Sequence, residues 1–196
     1  MTKDEIFAHF AKHEGVIPHM YLDTAGKVTI GIGFMIPDPH AALAYVLVNR
    51  ITGAAASSAE KLAEWTRVSQ QAKGKLAQTY RKFTTLDLPE TAVRATLDLK
   101  LRAFAESLRT RFANFDAFPA PAQLALLDMI YNVGPNGLFK GFPKLCRAAD
   151  RRDWTTCAAE CRRAGISAER NEACESLFRS ALSEAVPRRL RLRRFR

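Results

Sequence analysis

The sequence predicts a mostly helical α+β fold: a small lobe with one β-hairpin and a helical C-terminal lobe, joined by a long helix. Three observations predict it. Apolar residues recur at helical spacing through most of the chain. One segment, 20–34, instead alternates with period two around a glycine-containing turn. A third stretch, from about 89 to 112, keeps its helical stripe without a break. At 196 residues the chain suits one domain, or two lobes sharing a core. The expected organisation is a single domain over 1–187, with the small lobe at about 1–88, the long helix at about 89–112 and the helical lobe at about 113–187. An arginine-rich tail, 188–196, follows.

The elements follow in order. Thr2 and Glu5 have the spacing of a capping box and Gly15 is a suitable stop, so 3–14 is expected to be helical. Phe7, Phe10 and Glu14 then share a face, which places a carboxylate on an apolar stripe near a helix end. In 20–34, Asp23, Thr24, Ala25 and Gly26 form a turn. Val28, Ile30 and Ile32 alternate with Lys27, Thr29 and Gly31, so Thr29 should point away from the apolar face. This hairpin is the one well-defined sheet element expected, ended by Pro37 and Pro39.

Segments 40–52 and 58–78 carry helical spacing, the second opened by a Ser57/Glu60 capping box. Asp87 is the expected cap of the long helix, with Val93, Leu97, Leu101, Phe104 and Leu108 facing inward. The run 121–133 is apolar on most sides and should be buried, with Gly134 ending it. Helices are expected around 143–163 and 169–184, and Pro187 separates the last from the tail.

Composition narrows the function classes. Hydrophobic residues make up 47% and charged residues 26%, ordinary for a globular protein. No apolar run is long enough to span a membrane. The N-terminus lacks a signal-peptide pattern, so synthesis in the cytoplasm without the general secretory route is expected. The net charge is +10, but six arginines lie in the tail, leaving +4 for the rest. Such a tail favours an anionic envelope surface or another polyanion, and otherwise is a solvated terminus. No helix-turn-helix or aromatic-rich sheet pattern supports a nucleic-acid partner.

Cys146, Cys157, Cys161 and Cys174 fit no zinc signature, since no histidine lies beyond His40. Buried thiols and one disulfide are both open, with three complete pairings possible. His9 and His13 share a helix face adjoining Glu14 but lack the order of a zinc-protease motif, and are expected to be exposed. Trp65 and Trp154 are expected to pack between helices.

Two carboxylates remain for chemistry. Glycosidic cleavage needs an acid to protonate the leaving oxygen and a carboxylate acting at the anomeric side. Burial beside Phe7 and Phe10 would keep Glu14 protonated. Asp23, on a turn, would be solvated and ionised. Thr29, across the hairpin, would hold the attacking water.

The string Glu14-Gly15, Tyr21, Asp23-Thr24, Gly26, Thr29-Ile30-Gly31-Ile32-Gly33 resembles the active-site segment of phage-type lysozymes. The run from Ala122 to Gly134 resembles that family's buried helix. Asp153-Trp154, Ala158-Ala159, Gly165-Ile166, Arg170-Asn171 and Leu177-Phe178 resemble its C-terminal helices. Together these cover about two thirds of the chain.

The resemblance implies a lysozyme-like fold and a muramidase needing no metal or organic cofactor. It would cut the β-1,4 bond between N-acetylmuramic acid and N-acetylglucosamine in peptidoglycan with inversion, using Glu14, Asp23 and Thr29. It further implies either that Asn132 hydrogen-bonds an N-acetyl sugar or that it caps its helix. Arg170 either pairs with Glu14 or opens the last helix. Two departures stand out. Phe34 occupies a place where the family often has histidine, and 35–86 matches no compact phage lysozyme, resembling an expanded helical insertion. The opening of that insertion, 34–43, is similar to lysozyme-like effectors delivered by type VI secretion, which implies a carrier and an immunity protein as partners. A monomer acting in the periplasm or cell wall is expected. The alternative is a catalytically silent wall-binding or toxin-associated module.

Overall fold

The computed structural model describes residues 2–184, so the arginine-rich tail lies outside the described residues. The fold is α+β and mostly helical, with two small sheets. The chain divides into two compact units, Thr2–Asp98 and a second beginning at Leu99. The boundary falls inside the long helix rather than before it.

In the first unit, helix α1 (Lys3–Glu14) carries the full Thr2/Glu5 capping box and stops at Gly15, whose φ of 72° a side chain would strain. Strands β1 (Ile17–Leu22), β2 (Val28–Gly31) and β3 (Phe34–Met35) form an antiparallel sheet in that order, one strand more than a hairpin. All four residues of β2 are buried, because elements cover the sheet where the alternation predicted a solvated face. Gly31 is obligatory here: its φ is 66°, and a Cβ would stand 2.8 Å from the Phe34 ring.

The insertion departs most from expectation. Only His40–Ala44 of 40–52 is helical, as a 3₁₀ turn, after which the chain extends into β4 (Val48–Asn49). Helix α2 (Ser58–Ser69) starts at the predicted Ser57/Glu60 box but ends well before 78, and Gly74 turns the chain with φ 79°. A 3₁₀ helix, Ala77–Phe83, then packs on β1. Strand β5 (Leu86–Asp87) pairs with β4 as a second sheet.

Asp87 therefore does not cap the long helix. Its carboxylate is engaged by the Arg50 guanidinium at 2.7–3.1 Å, and Arg50 also donates to the Thr84 carbonyl and hydroxyl at 3.0 Å. Buried Glu64 ties α2 to the same ribbon: its Oε2 accepts from the Thr85 and Leu86 amides at 2.6 and 3.1 Å. A buried carboxyl without such donors would be costly. Even so, burial raises its pKa above the ordinary glutamate range. Trp65 packs as expected, donating its indole N–H to the Ile36 carbonyl at 3.0 Å.

Helix α3 (Glu90–Arg111) has Val93, Leu97, Leu101 and Leu108 buried, as its stripe predicts. In the second unit, α4 (Ala120–Gly141), α5 (Pro143–Asp150), α6 (Trp154–Glu160) and α7 (Ala168–Glu184) surround one core. The predicted helix over 143–163 is two helices. Arg152, with φ 57°, breaks the run and the Asp153 carboxylate caps α6 by accepting from the Thr156 amide at 3.0 Å. Trp154 is fully buried against Phe118 and Phe178. The four cysteines are buried free thiols in this unit. Cys146, Cys157 and Cys174 donate to the Leu138, Leu145 and Ala125 carbonyls.

Gly134 interrupts α4 with φ 72° and ψ 169°, and Pro135 restarts the helix. Side chains scarcely populate that region, so Gly134→Ala is expected to cost about 1–3 kcal/mol through backbone strain, there being no steric obstacle within 4 Å. Gly141→Ala has equally open surroundings and no left-handed φ, and should be neutral. Urea midpoints of the two variants check the contrast.

Candidate active site in the first unit

The three residues predicted to be catalytic all lie in the first unit, on α1 and the hairpin that follows it. Glu14 is the last residue of α1, half-buried, with its carboxylate over the β2–β3 turn. A Cβ built on Gly33 would lie 3.6 Å from Glu14 Oε2, so glycine at 33 leaves the room this carboxylate uses.

The helix face leading to Glu14 is less apolar than the stripe suggested. Phe10 is fully buried, but Phe7 is half-buried beneath the Arg94 guanidinium, 3.8 Å from its ring centroid. His9 and His13 are half-buried rather than exposed, with ring centroids 4.8 Å apart. Among the described residues no cluster of histidine, cysteine and carboxylate groups is placed to hold a metal.

The turn after β1 holds Asp23. Gly26 N–H donates to the Asp23 carbonyl at 2.9 Å, closing the turn, and Gly26 takes φ 82°. The Lys27 amide donates to Asp23 Oδ1 at 2.8 Å, while the Asp23 amide donates to the Lys27 carbonyl at 3.0 Å. One carboxylate oxygen is thus fixed by backbone. The other, Oδ2, accepts no hydrogen bond from the described residues.

Thr29 is buried, and its hydroxyl donates to the Lys27 carbonyl at 3.1 Å. That fixes the hydroxyl proton and leaves the oxygen lone pairs to accept from a water. The register corrects one detail of the sequence reading. Thr29 stands directly opposite Tyr21, not Asp23, and Asp23 lies diagonally from it. Because alternate strand residues share a face, Tyr21, Asp23 and Thr29 fall on the same side of the hairpin.

Tyr21 feels the charge of both carboxylates. Its phenol is pushed up to about 12, first by burial and then by the negative charges of Glu14 and Asp23. The sequence reading placed Tyr21 in the motif without giving it a role, although its i, i+2 relation to Asp23 was visible.

Asn132 and Arg170 belong to the second unit. Asn132 is half-buried on α4, two residues before the Gly134 break. Arg170 is buried near the start of α7, where its guanidinium donates to Asp128 Oδ1 at 3.0 and 3.3 Å. Arg163 donates to Asp128 Oδ2 at 2.7 Å, so one buried carboxylate serves two buried guanidiniums. The sequence reading passed over Asp128. Its signal was an acid inside the apolar run 124–131, where an ionised group demands a partner. Asp128 and Asn132 are one helical turn apart and share a face of α4.

The chain matches no model of a known protein family, and no curated protein matches it in sequence.

Proposed function

We propose that the protein is a muramidase of the phage lysozyme type, hydrolysing the β-1,4 bond between N-acetylmuramic acid and N-acetylglucosamine in peptidoglycan. The observation that carries this reading is the placement of Asp23 and Thr29 on one side of the hairpin, with the Glu14 carboxylate beside Gly33 in the turn that follows β2. Glu14 gives a proton to the glycosidic oxygen as the bond to the anomeric carbon breaks. Asp23 Oδ2 takes a proton from a water, whose oxygen attacks the opposite face of that carbon. Thr29 holds the water through its lone pairs. The product carries the inverted α configuration, and no covalent intermediate forms.

Asn132 of the second unit serves as a hydrogen-bonding group for the sugar's N-acetyl arm, while Arg170 donates to Asp128. The enzyme acts in the periplasm or cell wall. Its arginine-rich tail binds anionic envelope surfaces, and a secretion-machine carrier and an immunity protein are its macromolecular partners. Among the described residues no helix is long and apolar enough to cross a membrane.

Incubation with purified peptidoglycan is expected to release reducing ends, and NMR of the first product should show the α-anomer. Initial β-anomer would overturn inversion. No release at all would favour a silent wall-binding module, which should still co-sediment with sacculi.

A further inference from the structure

We infer that the Tyr21 hydroxyl is a third polar group of the catalytic centre, contacting the N-acetylhexosamine at the bond being cleaved. The inference rests on the muramidase reading and assigns a residue that reading leaves without work.

Three observations carry it. The first is register: Tyr21 is paired with Thr29 and lies two residues before Asp23, so its side chain leaves the same face of the hairpin as both. The register shifts between Ile17 and Tyr21, so the ladder is irregular just before this point. The second is satisfaction. The Tyr21 hydroxyl makes no hydrogen bond among the described residues, although the side chain is half-buried. By contrast, the fully buried Tyr80 donates to the Ala72 carbonyl at 2.8 Å. A half-buried phenol beside two carboxylates and bonded to neither has its donor and acceptor capacity left for a bound molecule.

The third observation is electrostatic. Both Glu14 and Asp23 act on the phenol, and with burial they keep it protonated at every pH at which a glycosidase works. Tyr21 is therefore a permanent neutral donor within the influence of two groups whose charges change during the reaction. A neutral donor there can bind a sugar oxygen without forming an ion pair that would fix the charge of either carboxylate. A lysine in the same place would do so.

Tyr21→Phe removes one oxygen and keeps the half-buried ring. With soluble peptidoglycan fragments, kcat/KM is expected to fall about tenfold to a hundredfold, the range for losing a hydrogen bond to a group carrying charge in the transition state. The loss should appear mainly in kcat, with the unfolding midpoint unchanged. Turnover equal to wild type would overturn the role of Tyr21 and leave the muramidase reading intact. A kcat loss matched by a lowered midpoint would overturn it in favour of a purely structural phenol. Absence of turnover in the wild-type protein, in the same assay, would overturn both.

Discussion

Replacing Asp128 with alanine is expected to cost the second unit about 3–5 kcal/mol, the range for removing one partner of a buried ion pair. The side chains of Asp128 and Arg163 are each 1% exposed and that of Arg170 is 6% exposed, so water cannot replace the lost carboxylate. Two guanidinium charges would be left to repel each other in the interior. The geometry makes relaxation difficult. Arg163 also donates to the Asp128 backbone carbonyl at 3.2 Å, and its own backbone is held by Asn171 through bonds of 2.9 and 3.0 Å. Arg163 Nε has no hydrogen-bond partner among the described residues, so this guanidinium is already incompletely satisfied. Asp128→Asn keeps one acceptor oxygen and should cost less. Trp154 lies in the same core, and Trp65 belongs to the other unit. Urea unfolding followed by fluorescence in a Trp65→Phe background therefore reports the second unit alone. An unchanged midpoint in Asp128→Ala would contradict this account, since total stabilities are themselves only about 5–15 kcal/mol.

Glu14→Gln is expected to abolish lysis and to lower the release of reducing ends by at least about a hundredfold, the lower part of the range for losing a general acid. The amide matches the carboxyl in size but has no proton to give to the leaving oxygen. The fold should be untouched. The stability of α1 comes from its Thr2/Glu5 box, buried Phe10 and the Gly15 stop, none of which uses the Glu14 charge. Calorimetry should therefore still show a cooperative unfolding transition beside the lost turnover. Substantial residual turnover would remove Glu14 from its role and move the acid function to another group.

Local chemistry made much of the fold legible. Capping boxes at Thr2 and Ser57 marked two helix starts to the residue, because the cap hydroxyl and the third-residue carboxylate act over one turn whatever surrounds them. Gly15 and Gly134 marked breaks for a similar reason, each adopting a positive φ that other residues avoid. The turn at Asp23–Gly26 and the alternation after it placed β1 and β2, and with them Asp23 and Thr29.

The insertion was not legible in this way. Its apolar spacing was compatible with helix at 40–52 and 70–78, yet the chain there forms 3₁₀ turns and a two-stranded ribbon. What decides it is distant in sequence: Arg50 reaches Asp87, and Glu64 accepts the Thr85 and Leu86 amides, so backbone that could have been helical is held extended. Propensity is worth tenths of a kcal/mol per residue and yields to such contacts. The same holds for Asp87, which resembles a helix cap until Arg50 is in place.

The sequence by itself determined the fold class, the helix starts at Thr2 and Ser57, the breaks at Gly15 and Gly134, and the candidate carboxylates, because each is set by groups within a turn or a strand of one another. Only the tertiary structure decided that Tyr21 pairs with Thr29, that Asp128 holds two arginines, and that 48–49 pairs with 86–87. The last two depend on partners dozens of residues apart, and all three on burial, which removes the water that would otherwise serve every polar group equally.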